Sequence, residues 1–274
     1  MTTPARSIWP AVTVAVYALC VVLPAIMAVL YTHINPNPFS FTTDNVFWIG
    51  ATWLTPVVFI LAAGALGLGP RAPGAEAARI VAAAVTGFGL LIMVIIVVVQ
   101  AVWSARSDLR LESLLILLSV LLAATAVVLA FLKARGTEHA VAPIFGLICL
   151  TVAAVAFAVS GLLPISAELP AFGVARELAG AVVPLVGVWL VTRERPAEAW
   201  AGAALLAVSV LLDIVGLVFA ARAPFAVAAL AIDFLITGLA VAAAVTAVLG
   251  AIAVSKARDA STRASRSGIP KPGH

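Results

Sequence analysis

The chain has 274 residues, of which 64% are hydrophobic and 10% are charged, and its formal net charge is +4 at pH 7. Its mean hydropathy is +1.20. Because soluble domains carry about 25% charged residues, this composition excludes a soluble globular protein, and it equally excludes disorder and collagen. Cys20 and Cys149 are the two cysteines and both lie in apolar runs, which excludes a disulfide scaffold. The class that remains is a membrane protein with several spans.

Eight apolar windows follow one another along the chain, and each comes close to the roughly 20 residues that a helix needs to cross the hydrocarbon core. Unbroken apolar runs lack the alternation of barrel strands, and helices satisfy their own backbone hydrogen bonds in lipid. The windows are Ile8–Tyr31, Val46–Leu68, Ile80–Trp103, Leu114–Leu132, Val141–Leu163, Gly173–Thr192, Trp200–Ala220 and Phe225–Leu249. They predict an all-α, polytopic membrane bundle of eight transmembrane helices, with residues 1–254 as a single domain.

The first window differs from a cleaved secretory signal, because it is longer than the apolar core of such a signal and no small-residue cleavage site follows it. We therefore expect a retained helix. This window contains Pro24, and the second and sixth contain Pro56 and Pro184. Each proline frees a backbone carbonyl, as the broken helices of transporters require, so the three are candidate helix breaks. Proline is also frequent in membrane helices that have no such role.

Two acidic residues lie inside the last two windows, Asp213 in the seventh and Asp233 in the eighth. An ionised carboxylate in the middle of a membrane costs roughly 3 kcal/mol, so it usually has a partner or a function. Each aspartate lies ten residues from Ala223, in the short turn between the two windows. In an antiparallel hairpin, this spacing places both about 12 Å below the outer boundary of the membrane. Ser209 and Thr237 then lie one helical turn deeper on the same faces.

Two facing carboxyl groups at one depth cannot both ionise cheaply. Such a pair can hold a proton between two helices, or bind a cation once both protons have left. Arg176, in the first turn of the sixth window, is the cation nearest to that depth and is a candidate counter-ion, although Glu177 can equally pair with it. The alternative is that both aspartates are protonated and only hold helices together through hydrogen bonds to the hydroxyl groups. The spacing gives depth and leaves open which way each side chain faces.

The positive charges predict an orientation in the membrane. If the N-terminus is cytoplasmic, twelve of the sixteen Lys and Arg residues fall on the cytoplasmic side and four on the other, as the positive-inside rule requires. Both termini are therefore predicted to be cytoplasmic. Residues 255–274 hold five of these cations, with Gly and Pro near their end. This composition predicts a disordered basic tail that is attracted to anionic lipid, or that docks on a protein partner.

Residue positions also exclude several chemistries. His33, His139 and His274 all lie outside the windows, so haem cannot be held between helices. The sequence contains no zinc-protease motif, phosphate loop or nucleophile elbow. We therefore predict no cofactor, no metal site and no nucleic-acid partner. The partners left to consider are the lipid bilayer, other membrane subunits, and a small solute or lipid whose identity is open.

Three functions remain open. The acidic pair favours a small proton- or cation-coupled transporter or permease, whose solute is unidentified and whose coupling residues are Asp213, Asp233, Ser209, Thr237 and Arg176. The shortage of polar residues in the first five windows favours a non-catalytic accessory or assembly subunit of a membrane complex. The third is an intramembrane enzyme that modifies a lipid or isoprenoid. Arg outnumbers Lys 13 to 3 and alanine is abundant, which suggests a bacterial protein of the plasma membrane.

Overall fold

The structure is a computed structural model of the chain. It describes residues 7–34, 43–69, 72–103, 108–135, 142–162, 171–220 and 227–266. Side-chain environments are described for residues 7–23, 54–69, 72–98, 111–135, 143–162, 173–218 and 234–263.

Eight α-helices make up most of these residues, and the described part of the chain contains no β-strand. The helices are α1 (Trp9–Ile34), α2 (Thr43–Gly67), α3 (Ala75–Trp103), α4 (Asp108–Ala134), α5 (Ala142–Leu162), α6 (Ala171–Val191), α7 (Pro196–Ala220) and α8 (Val227–Arg266). Each overlaps one apolar window, which confirms the all-α class predicted from the sequence. How many of them cross the membrane, and on which side the termini lie, remain predictions.

Six helices are long and apolar enough to cross a membrane over their described residues, namely α3 to α8, with mean hydropathies from 1.7 to 2.9. The described side chains of α1 and α2 form shorter apolar segments, Trp9–Leu23 and Leu54–Gly67. Large apolar side chains also cover the outside of the bundle, such as the exposed Ile80, Phe88 and Leu91 of α3. Soluble proteins rarely expose contiguous apolar surface of this kind. The chain is therefore a multi-pass integral membrane protein.

Helix α2 is the centre of the bundle. It packs against α1, α3, α4, α5 and α6, whereas the other helices mainly contact their neighbours in the chain, and α8 closes the ring against α1. Most of its described residues are buried, including Val58, Ala62 and Leu66. Lys133, at the end of α4, donates hydrogen bonds to the carbonyl of Leu66 at 2.7 Å and to that of Gly67 at 3.4 Å. These bonds cap the last turn of α2.

Helices α6 and α7 pack closely because glycines meet at their interface. A Cβ atom at Gly202 of α7 would lie 2.6 Å from the backbone nitrogen of Val191 and 2.7 Å from the carbonyl oxygen of Gly187. Both atoms belong to the backbone of α6, so a side chain at this point would force the two helices apart. This contact fixes the antiparallel pair that carries Arg176 and Asp213.

Helix α8 continues beyond the apolar window that predicted it. It is 40 residues long and ends at Arg266, whereas the composition predicted a disordered tail from residue 255. We call Ser255–Arg266 the α8 extension. It is helical because the preceding span has already nucleated the helix, and because the Ala, Lys and Arg residues in the extension favour helix. Residues 267–274 of the predicted tail lie outside the described residues.

Candidate functional site

A cavity of about 310 Å³ lies inside the bundle, between α1, α2, α5, α6 and α7. We call it the charged cavity, because four of its wall residues are polar or charged: Tyr17, Arg176, Glu177 and Asp213. Much of the remaining wall is apolar and includes Phe59, Ile60, Phe157 and Leu185. A mostly apolar cavity with a few convergent polar groups is the usual form of a small-molecule site.

The antiparallel course of α6 and α7 brings the charges together. Arg176 lies in the second turn of α6, and Asp213 lies about two turns before the end of α7. At 1.5 Å per residue, both are about 8–10 Å from the same end of the helix pair. The two side chains therefore reach the charged cavity at one depth, and their charges are close enough to attract each other. Arg176 is thus placed where a counter-ion would be, and its role in coupling remains a prediction.

Gly216 leaves the space on α7 that the Arg176 side chain occupies. The guanidinium lies across the helix so closely that a Cβ atom at position 216 would collide with its Nη2 atom. Gly216 is one turn beyond Asp213 and therefore on the same face of α7. Nothing in the sequence singles out this glycine, because a glycine inside an apolar helix carries no signal that distinguishes it from ordinary close packing.

Tyr17 of α1 is a second cavity residue that the sequence pattern did not reveal. Its hydroxyl oxygen lies 3.0 Å from the hydroxyl oxygen of Ser209, and either group can donate the hydrogen bond. Both residues are buried. Ser209, predicted to lie one turn below Asp213, therefore links α7 to α1. Tyr17 and Asp213 are also close enough to interact electrostatically, so the hydrogen-bonded pair borders the charged group.

Two of the three predicted helix breaks line the same cavity. Pro56 and Pro184 lie inside α2 and α6, and both belong to the wall of the charged cavity. Proline has no N–H, so Pro184 leaves the carbonyl of Gly180 without its helical hydrogen bond. Gly180 is also part of the cavity wall. Its carbonyl oxygen is therefore available as an acceptor for a polar solute or for water.

Other predicted site residues are not tested by the geometry. Asp233 lies in α8, but its side chain is outside the described residues, as is that of Pro24. The proposed meeting of Asp213 and Asp233 therefore stays a prediction. Thr237 is described and is not part of the wall of the charged cavity. Over the described ranges, no three His, Cys, Asp or Glu side chains come together as metal ligands would.

A second cavity, of about 630 Å³, lies at one end of the bundle, where α1 begins. Its walls are the start of α1, the turn from α2 into α3, the turn from α6 into α7, and the α8 extension. We call it the end cavity, and its charged wall residues are Arg193, Glu194 and Arg258. The Arg193 Nε atom lies 3.0 Å from the Glu198 carboxylate. Its guanidinium carbon is 5.0 Å from the centroid of the Trp189 ring, so this arginine is held in place on both sides.

Comparisons with known protein families, with curated proteins and with solved structures give no match for this chain. The helices and their apolar outer surface establish the class, a multi-pass integral membrane protein. Within that class, the distinguishing feature is the charged cavity, whose wall holds an aspartate and an arginine from neighbouring helices.

Proposed function

We propose that this protein is a small membrane permease that couples the movement of a solute to protons or cations at the charged cavity. One observation carries the proposal: Asp213 and Arg176 lie at one depth on neighbouring helices and border the same internal cavity. Charged side chains within membrane helices are rare because lipid does not solvate them, and they commonly mark a substrate or ion pathway. Two opposite charges that served packing alone would gain nothing from a cavity beside them.

Proton coupling follows from competition for the guanidinium of Arg176. While Asp213 is ionised, it attracts this guanidinium, and the attraction is strong in a low-dielectric interior. When Asp213 takes up a proton, the attraction is lost, and Arg176 can pair with an anionic group of the solute. Loss of the proton restores the original attraction and displaces the solute. Binding of the proton and binding of the solute are therefore linked, and the linkage acts equally in both directions.

The shape of the charged cavity limits the solute. A volume of about 310 Å³ is near the lower end of the roughly 300–1,000 Å³ typical of ligand pockets, so the solute is small. The Phe59 and Phe157 rings form an edge-to-face pair with centroids 5.9 Å apart, which gives the cavity a rigid apolar side. A small carboxylic acid with an apolar group would complement both this side and Arg176.

Flux in liposomes tests the proposal. The purified full chain is reconstituted around a trapped pH-sensitive dye, and radiolabelled short-chain carboxylic and amino acids are added outside. We expect the wild-type protein to take up protons together with at least one of these solutes. We expect Asp213→Asn to fold normally and to lose this uptake, because an amide cannot carry the proton.

The matched control is Asp259→Asn, which makes the same change on the exposed α8 extension, outside the wall residues of the charged cavity. This variant should keep wild-type uptake. If Asp213→Asn takes up protons and solute as fast as the wild type, the coupling proposal is wrong.

The α8 extension favours a second candidate function, that of an accessory subunit. Its residues from Lys256 to Arg263 are exposed, and they project a basic helix beyond the membrane window, where an acidic partner could bind it. The double variant Lys256→Glu and Arg263→Glu reverses the charge of two exposed residues outside the wall of the end cavity and distinguishes the two functions. An accessory subunit would lose its partner in co-purification, whereas a permease would still carry out solute-driven proton uptake in liposomes.

A further inference from the structure

The charged cavity and the end cavity follow one another along the same three helices. Helix α1 contributes wall residues to both, namely Tyr17 to the charged cavity and Ala11 to the end cavity. Helices α2 and α6 contribute Ile60 and Leu185 to the charged cavity, and the residues directly after their ends, Leu68 and Thr192, belong to the wall of the end cavity. A line along these three helices therefore leads from one cavity to the other.

A single layer of residues separates the two cavities. It consists of Val14 on α1, Gly64 on α2, and Val188 and Trp189 on α6, each near the midpoint between the two wall positions of its helix. Val14 is 4% exposed, Val188 is 0% exposed and Trp189 is 8% exposed, so the layer is closed. At 1.5 Å per residue, the wall positions on each helix are about 10 Å apart, so the layer is only two or so helical turns thick.

Val14 closes this layer by packing directly on the backbone of α2. A Cβ atom at Gly64 would lie 2.6 Å from Cγ1 and 2.9 Å from Cγ2 of Val14. The two methyl groups of the valine therefore fill the space that a side chain at position 64 would need. Helices α1 and α6 make few contacts with each other, so the seal between them depends on such side chains rather than on close helix packing.

Trp189 adds a polar group to this otherwise apolar layer. Its indole N–H is buried and lacks a hydrogen-bond partner in the described part of the protein. A buried donor without a partner is unfavourable, and this donor gains an acceptor when water or a polar solute enters the layer. The ring of the same residue contacts Arg193, a wall residue of the end cavity.

We infer that Val14, Gly64, Val188 and Trp189 form the gate of a path that joins the two cavities, and that the solute crosses between α1, α2 and α6. This inference rests on the proposed permease function. A small displacement of α1 along α2 would move Val14 off Gly64 and connect the cavities, while the close glycine contact between α6 and α7 keeps Arg176 and Asp213 together.

Cysteine accessibility tests the gate without any solute. In a protein carrying Cys20→Ser and Cys149→Ala, single cysteines are introduced as Ala11→Cys in the end cavity, Ala181→Cys in the charged cavity and Val14→Cys in the gate. A membrane-impermeant charged thiol reagent is applied to either face of oriented vesicles. We expect Ala11→Cys to react only from the face where α1 begins, Ala181→Cys only from the opposite face, and Val14→Cys slowly from both.

Opening the gate should change this sidedness. Adding Val14→Ala to the Ala181→Cys protein removes two methyl groups from the seal and leaves a void, so the cysteine should also become reactive from the face where α1 begins. Val152→Ala removes the same atoms from an exposed position on α5 and should change nothing.

Any one of three results would overturn the gate. The first two are equal reaction of Ala11→Cys and Ala181→Cys from one face, and rapid labelling of Val14→Cys. The third is unchanged sidedness in a folded Val14→Ala protein. Because labelling requires no transport, these results are independent of the Asp213→Asn flux experiment. Labelling of the single-cysteine proteins from opposite faces, as expected, can be found together with transport by Asp213→Asn at the wild-type rate. That combination of results would contradict the coupling proposal and would still support the gate.

Discussion

Gly216 shows how the absence of a side chain can position a charge. The Arg176 guanidinium crosses from α6 to α7 at this residue, one turn from Asp213, and occupies the space that a Cβ atom would fill. Arginine keeps its charge in every environment that proteins offer, so inside a bundle it needs an opposite charge or polar groups. Because position 216 is a glycine, the guanidinium of Arg176 can lie close to Asp213. The ionisation of Asp213 then decides whether the two side chains attract each other.

Gly216→Ala should therefore separate function from stability. The added methyl group meets the mobile end of the Arg176 side chain, which can move away at little cost to the fold. We expect the thermal unfolding midpoint in detergent to change little and solute-driven proton uptake to fall, because the charge of Arg176 is displaced from its position near Asp213. Gly87→Ala in α3 is the control, since nothing lies within 4 Å of the added atom. If the two variants transport equally well, the position of Arg176 is irrelevant to uptake.

The pair of helices α6 and α7 determines which residues can meet in the charged cavity. The short turn between them makes the helices antiparallel, and the contact between Gly187 and Gly202 brings their backbones together. The antiparallel relation follows from the sequence, because the connection is too short for any other arrangement. The rotation of each helix about its axis does not follow, since apolar residues surround both helices and lipid tolerates any of them on the outside.

Gly202→Ala should destabilise this pair. Its methyl group meets backbone atoms of α6, which cannot move independently, so we expect a loss of about 1–3 kcal/mol in the free energy of unfolding. Gly161→Ala in α5 makes the same change where nothing lies within 4 Å and should not lower stability. Equal unfolding midpoints for the two variants in detergent would contradict the close packing of α6 and α7.

The whole molecule is a bundle around α2, with the end cavity at one end and the charged cavity about 10 Å further along the helices. The exposed apolar surface of the outer helices is stable only in lipid, and the buried α2 supplies the contacts that hold the ring together. The α8 extension makes the two ends of the bundle differ in charge, because it adds basic residues at the end where α1 begins. That end is the one predicted to be cytoplasmic.

A fusion of alkaline phosphatase after His274 tests this orientation. The enzyme requires disulfides, which form outside the bacterial cytoplasm, so we expect the fusion to be inactive. A green fluorescent protein fused at the same residue should fluoresce and shows that the chain is made and inserted. An active phosphatase would place the α8 extension outside and invert the predicted orientation of the protein.

Composition and apolar length alone determined that this chain is an all-helical membrane protein, because only helices let an apolar backbone satisfy its hydrogen bonds in lipid. The spacing of charges likewise drew attention to Asp213, Arg176, Pro56 and Pro184, since polar and helix-breaking residues are conspicuous in apolar runs. Tertiary structure decided that these four share one cavity with Tyr17, that Gly216 lies against Arg176, and that Val14 packs on Gly64. Those contacts depend on how each helix is rotated about its axis and on which helices lie next to it. Both are set by the way small residues pack together. Hydrophobicity cannot set them, because it is nearly uniform along every helix.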